Sequence, residues 1–234
     1  MKTYYKNRLP HIAPIGATFF VTFRLADSLP VAIVRELQEA YQQKCLQLLR
    51  EQPRHYQALI HQERKRYFGR FDHQLDTLRY GHCYLQQPAI AEIVAKRIQQ
   101  YDQRYYDLHA YCIMPNHVHL LIDTMEQLKL EDGEYAEEVP GNYAQLDRVM
   151  RLIKGGSARQ ANLALNRSGT FWMKDSYDHF VRDEREWGNI LAYILNNPVH
   201  AGLPMTGRSG RTAFVNTTST GDFSRRHILT ACGG

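Results

Sequence analysis

The stretch Met114-Pro115-Asn116-His117-Val118-His119-Leu120-Leu121-Ile122 puts two histidines on alternate positions of an apolar run, directly after a Pro-Asn break. Such a run reads as a β-strand, and side chains two apart on a strand leave from the same face. His117 and His119 therefore stand side by side, ~7 Å apart at their Cα atoms for a rise of ~3.3 Å per residue, with Val118 turned into the core between them. Two neutral imidazoles so placed can converge on one divalent ion. Two ligands are too few for a site, and the residues alone equally allow polar surface or a hydrogen-bonded pair. Asp123 shares the strand parity but lies ~13 Å beyond His119, too far to join it.

A second stretch offers what the pair lacks. Along Glu186-Trp187-Gly188-Asn189-Ile190-Leu191-Ala192-Tyr193-Ile194-Leu195-Asn196-Asn197-Pro198 the apolar residues Trp187, Ile190, Leu191 and Ile194 fall at i, i+3, i+4 and i+7, the packed face of a helix. Tyr193 and Asn197 are four apart on a flank of that face, so they stack one turn apart. A helix packed on the sheet near the histidines would bring a phenol and an amide oxygen to the ion. Periodicity alone also permits Tyr193 at the core edge and Asn197 as a cap ahead of Pro198.

The elements that must position these groups follow from pattern and punctuation. Thr18 to Leu25 is rich in aromatic and β-branched residues and predicts a central strand. From Pro30 to about Gln52 apolar residues recur at helical spacing; Pro53 breaks that helix, and a very polar helical stretch runs to about Phe68. Residues 72–84 read as a connection without a clear assignment. Pro88 opens a helix reaching about Tyr101. Tyr105–Ile113 and His117–Asp123 make an antiparallel hairpin, Glu126–Gly141 is an acidic surface loop, and a helix from about Tyr143 to Leu165 invites a break at Gly155-Gly156. Residues 170–181 look extended; Asp183 caps the last helix, which Pro198 helps to end.

Strand, helix, hairpin, helix, short strand, helix predicts an α+β fold. We expect a ferredoxin-like antiparallel sheet with helices on one face and a helical insertion after the first strand, over about residues 30–70. Residues 1–203 form the domain, and the Gly/Ser/Thr/Arg-rich 204–234 an extended or partly ordered tail.

Composition sets the partners. The 234 residues are 44% hydrophobic and 23% charged, enough for a sizeable core. No run approaches the ~20 apolar residues of a membrane span, and residues 1–6 lack the apolar stretch of a signal peptide. Four cysteines without paired spacing read as reduced thiols, and the expectation is a cytoplasmic protein. The net charge of +5 leans towards a polyanion, with bases clustered at Arg64-Lys65-Arg66 and along Arg148, Arg151, Lys154 and Arg159. Fifteen tyrosines among those bases suit stacking on single-stranded nucleic acid, although buried tyrosines are the commoner explanation.

Taken in order, four blocks resemble the HUH single-tyrosine transposases, specifically the REP-associated tyrosine transposases. They are Phe19-Phe20-Val21-Thr22; Tyr111 through His119; Trp172 through His179-Phe180-Val181-Arg182-Asp183; and Tyr193 through Asn197-Pro198-Val199-His200-Ala201-Gly202-Leu203. The resemblance implies a metal-dependent endonuclease and strand transferase acting on single-stranded DNA beside an imperfect hairpin, working as a monomer or homodimer. It implies His117, His119 and Asn197 as ligands of Mg²⁺ or Mn²⁺, and Tyr193 as the nucleophile forming a 5′-phosphotyrosyl link. Arg151, Lys154, Lys174 and Arg182 are candidates for the DNA backbone, each individually also a solvated surface charge. The 30–70 insertion and the tail after Leu203 depart from the family pattern.

Two rival readings remain open at this point. A non-catalytic hairpin-binding module derived from a transposase would bind oligonucleotide without cleaving it, but has no use for all four site residues. A zinc hydrolase built on the histidine pair lacks an evident carboxylate base near the site.

Overall fold

Every residue of three strands, β3 (Thr18–Arg24), β4 (Asp107–Ile113) and β5 (His117–Asp123), is buried on both faces. A sheet reaches that state only when layers cover both of its sides. The computed structural model describes residues 13–202 in full and the backbone of three further strands, β1 (Tyr4–Lys6), β2 (Pro10–Ile12) and β7 (Phe214–Thr217). With β6 (Tyr177–Phe180) the main sheet runs β6-β3-β5-β4-β7 and is antiparallel throughout; β1 and β2 pair separately.

The order β6-β3-β5-β4 is that of a split β-α-β pair, the ferredoxin-like arrangement the element order predicts. The first crossover carries the insertion, α1 (Val31–Glu51) and α2 (Tyr56–Asp76), followed by α3 (Pro88–Gln99). The second is α4 (Leu146–Ala164), and α5 (Glu184–His200) follows β6. The expected tail falls largely outside the described residues; within it, β7 pairs with β4 at the sheet edge.

The period of two sorts the strand residues between two cores. Phe19, Val21, Phe23, Val118, Leu120 and Ile122 pack with Ile90, Val94 and Ile98 of α3 and Leu146, Val149 and Ile153 of α4. Phe20, Ala110, Cys112 and Leu121 point the other way and pack with Ile194 of α5, flanked by Trp187, Ile190, Leu191 and Phe68. The expectation of helices on one face thus holds for the crossover helices α3 and α4, whereas α5 and the end of α2 cover the opposite face. The reason is that the histidine face is itself partly apolar and needs cover from water.

Three boundaries differ from expectation, each with a local cause. Helix α4 continues through Gly155-Gly156, because Gly156 is where α4 meets α3: a Cβ there would collide with the guanidinium of Arg97. Helix α2 runs on past Phe68 to Asp76, burying Tyr67 and Leu75. Helix α5 does not end at Pro198 but passes through it to His200, closing with backbone bonds from Ala201 to Asn197 and from Gly202 to Val199. The Asp183 cap is as expected, its carboxylate accepting from the Glu186 amide at 2.8 Å. Trp172 is core, its indole donating to Ser157 Oγ at 2.9 Å.

Candidate metal centre and the tyrosine helix

The hairpin turn fixes the first histidine. Pro115-Asn116 is closed by the Met114 amide donating to the His117 carbonyl at 2.9 Å. The Asn116 side chain is fully buried and spends both ends: Nδ2 donates to the Leu75 carbonyl at 3.0 Å, and Oδ1 lies 2.7 Å from His117 Nδ1. An amide oxygen only accepts, so Nδ1 of His117 carries the proton and Nε2 presents a bare lone pair. His119 Nδ1 lies 2.8 Å from Thr22 Oγ1, its cross-strand partner on β3. That hydroxyl can accept, so His119 can likewise free its Nε2.

The two Nε2 atoms stand 3.0 Å apart, and neither histidine is exposed. Nitrogens at ~2.1 Å from one ion and at right angles are separated by ~3.0 Å. Burial pushes His117 down to about 3, and burial with the charge of its neighbour pushes His119 well below the ordinary histidine range. Both are therefore neutral at physiological pH, the form that ligates metals.

Helix α5 brings its flank to the same point. Asn197 Nδ2 lies 3.2 Å from His119 Nε2, while Asn197 Oδ1 is buried with no hydrogen-bond partner. A half-turn of the amide places that oxygen where the nitrogen lies. The Tyr193 ring stands edge-on to His119, centroids 5.4 Å apart at 71°, and meets Phe20 the same way at 6.0 Å. Tyr193 lines an open cavity of 680 Å³ walled by α2, β6 and α5.

The inserted helix supplies a group the sequence reading missed. Asp72 Oδ1 lies 3.5 Å from His119 Nε2 and 3.9 Å from His117 Nε2; Asp76 Oδ1 lies 3.9 Å from His117 Nε2. Burial and the neighbouring Asp76 push Asp72 well up, and burial pushes Asp76 up to about 7. Neither Oδ1 has a hydrogen-bond partner. The two imidazole Nε2 atoms and the orphaned Asp72 Oδ1 lie close enough together to hold a divalent cation, with the Asn197 amide against His119. The absence of a carboxylate near the histidines, read from sequence, is thereby corrected: the helix continues past Phe68 and carries two, one turn apart. No sequence signal lays this end of α2 over the histidines. Asp123 is elsewhere, capping the turn Thr124–Leu128.

The four basic candidates divide between two cavities. Arg151, Lys154 and Lys174 line one of 530 Å³ along α4, together with Asp147, Asp175 and Asp178. There Arg151 pairs with Asp147 at 3.1 Å, and Lys154 Nζ donates to the Lys174 carbonyl and Ser176 Oγ at 2.7 and 3.1 Å. Burial pushes Lys154 down to about 8. Arg182 lines the cavity beside Tyr193 with Lys65 and Arg185, its guanidinium 2.6 Å from His61 Nδ1. His179 faces Glu186 at 3.1 Å within the same cavity. Among the described residues Cys45, Cys83 and Cys112 form no disulfide, and no helix is long and apolar enough to cross a membrane.

No protein-family model matches the sequence. A Haemophilus influenzae protein named "Putative REP-associated tyrosine transposase" is 31% identical over 97 residues, covering 42% of this chain and 52% of the relative. An uncharacterized protein of the same organism is 33% identical over 97 residues, covering 38% of this chain and 52% of the relative. The chain spans about half the length of the curated relatives it matches. A solved structure of a REP-associated tyrosine transposase bound to a REP hairpin aligns over 85% of this chain and 76% of that one, at TM-score 0.41 and 16% identity. The resemblance drawn from the sequence blocks thus meets a match in sequence: the chain is similar to a curated REP-associated tyrosine transposase.

Proposed function

We propose that this protein is a metal-dependent single-stranded DNA endonuclease and strand transferase, a REP-associated tyrosine transposase acting beside an imperfect hairpin. The observation that carries the reading is that one helix delivers both Asn197 and Tyr193 to His119, whose Nε2 stands 3.0 Å from that of His117. A binding module has no need of a phenol and a ligand set at one point.

His117, His119 and Asn197 would hold Mg²⁺ or Mn²⁺. Bound there, the ion's contribution is to offset negative charge growing on a non-bridging oxygen of the scissile phosphate. The protein's own residues do the rest. Tyr193, at the wall of the open cavity, attacks phosphorus through its phenolic oxygen. The P–O3′ bond breaks, the phenol gives up its proton, the departing 3′ oxygen takes one up, and the 5′ phosphate stays on the tyrosine. A different 3′-hydroxyl reverses the step and joins new ends, since the phosphotyrosyl diester keeps the energy of the bond it replaced. Arg182, which lines the cavity beside Tyr193, would meet the backbone of the strand there. Arg151, Lys154 and Lys174 would meet it along α4. Asn116 and Thr22 fix the imidazole orientations from behind.

Incubating the protein with a single-stranded hairpin oligonucleotide and Mn²⁺, then resolving it under denaturing conditions, tests this reading. A metal-dependent protein–DNA adduct is expected. Tight binding without an adduct under any divalent metal would instead favour the non-catalytic module. The proposal places the enzyme in the cytoplasm, as a monomer or homodimer.

A further inference from the structure

We infer that Asp72, on the inserted helix α2, is a fourth protein ligand of the ion held by His117, His119 and Asn197. The insertion is then part of the metal centre rather than an appendage of the fold. The inference rests on the metal-site reading above and goes beyond it, because that reading needs ligands only from β5 and α5.

Asp72 is 2% exposed, on a helix whose other buried residues are Tyr67 and Leu75. A carboxylate taken out of water is retained only when a cation or donors meet it. The polar groups around Asp72 are two imidazoles, a second carboxylate and the Asn197 amide, which gives the carboxylate one hydrogen bond; none of them is a cation. Its Oδ1 has no hydrogen-bond partner and faces the bare nitrogens at 3.5 and 3.9 Å. Ligand atoms ~2.1 Å from one octahedral ion are ~3.0 Å apart when adjacent and ~4.2 Å apart when opposite. The separations of 3.0, 3.5 and 3.9 Å all lie below the ~4.2 Å maximum for atoms that share one such ion.

The anchoring of α2 points the same way. Its end is tied to the turn that holds His117, by Asn116 Nδ2 donating to the Leu75 carbonyl at 3.0 Å, three residues beyond Asp72. A ligand set of two histidines, one asparagine and one aspartate leaves two of six positions for a phosphate oxygen and water. Asp76, one turn on and half-buried, sits behind Asp72 as an outer carboxylate.

The experiment is Mn²⁺ titration of the full chain, read by the electron paramagnetic resonance of free Mn²⁺, for the unaltered protein, Asp72→Asn and Tyr193→Phe. The unaltered protein and Tyr193→Phe bind one equivalent alike, and Asp72→Asn binds at least ~10-fold more weakly. After chelation, Asp72→Asn melts no lower than the unaltered protein, because it has lost a buried carboxylate. Should Asp72→Asn not fold, hydrogen exchange of the unaltered protein decides: Mn²⁺ slows exchange of the α2 amides around Asp72. Equal Mn²⁺ affinity in Asp72→Asn overturns the inference, even if its adduct is lost, for Asp72 would then act on Tyr193 and not on the ion. No Mn²⁺-dependent protection of α2, or no Mn²⁺ binding by any variant, overturns it as well. Weakened binding in Asp72→Asn with no adduct from the unaltered protein leaves this inference standing and removes the transferase reading.

Discussion

The amide of Asn197 reaches Nε2 of His119 at 3.2 Å across 78 residues of sequence. That contact joins the last helix to the central strand, and it leaves the Asn197 oxygen buried without a hydrogen-bond partner. The orphaned Asn197 oxygen beside the two close Nε2 atoms is the arrangement that the proposed cation would satisfy.

The outer partners of the histidines should matter nearly as much as the ligands. Thr22→Val keeps the shape of the side chain but removes the hydroxyl 2.8 Å from His119 Nδ1. We expect Mn²⁺ affinity to fall ~10- to 100-fold with little change in the far-ultraviolet spectrum. Unchanged affinity would mean that the ring is oriented by packing against Phe20 alone.

Part of this arrangement was legible in the sequence: strand parity puts His117 and His119 on one face, and helical spacing puts Tyr193 and Asn197 on one flank. That the two pairs meet was implied by the family resemblance, not by period. Asp72 was not legible, because α2 is polar along most of its length and its apolar positions do not mark its end. Nothing short of the fold shows that this helix lies over the histidine face. Pro198 misled in the opposite sense: it reads as a terminator, yet lies inside the last turns of α5, where Asn197 keeps its helical direction.

The far end of the cavity predicts a dependence on pH. Burial, then the charge of Arg182, pushes His61 down to about 4, with His179, Lys65 and Glu186 also facing it. A histidine whose folded value lies below its free value of 6.5 binds fewer protons folded than unfolded between those limits. Its contribution is complete above pH 6.5 and is lost as the pH falls towards 4. For Glu186, burial alone would raise the carboxyl, but hydrogen bonds from His179 and Lys65 hold it well below the usual range, adding a loss at still lower pH. Urea midpoints across this range should fall with acidification. In His61→Gln the fall between pH 6.5 and 4 should flatten; an unaltered slope would remove His61 as its source.

Ser157 accepts from the Trp172 indole at 2.9 Å and donates to the Ile153 carbonyl at 2.7 Å, all within the core. Ser157→Ala strands a buried N–H, which costs ~1–3 kcal/mol and lowers the melting temperature by ~2–4 °C per kcal/mol for a chain of this size. Calorimetry checks this. Adduct formation should be unaffected, since the pair lies on the face of the sheet opposite the histidines.

Phe68 stacks on Tyr177 with centroids 4.2 Å apart and meets Tyr193 edge-on at 6.3 Å, so the insertion also sets the tyrosine wall of the cavity. Phe68→Ala should lower the rate of adduct formation while leaving Mn²⁺ affinity within about twofold, because it removes a neighbour of Tyr193 and no ligand. A parallel loss of Mn²⁺ binding would show that Phe68 acts by seating α2.

The central claim is that Tyr193 becomes covalently joined to DNA. With a single-stranded hairpin oligonucleotide and Mn²⁺, the unaltered protein should yield an adduct that survives denaturation and is lost on chelation. Tyr193→Phe should yield none while still binding the oligonucleotide. An undiminished adduct in Tyr193→Phe would contradict the account.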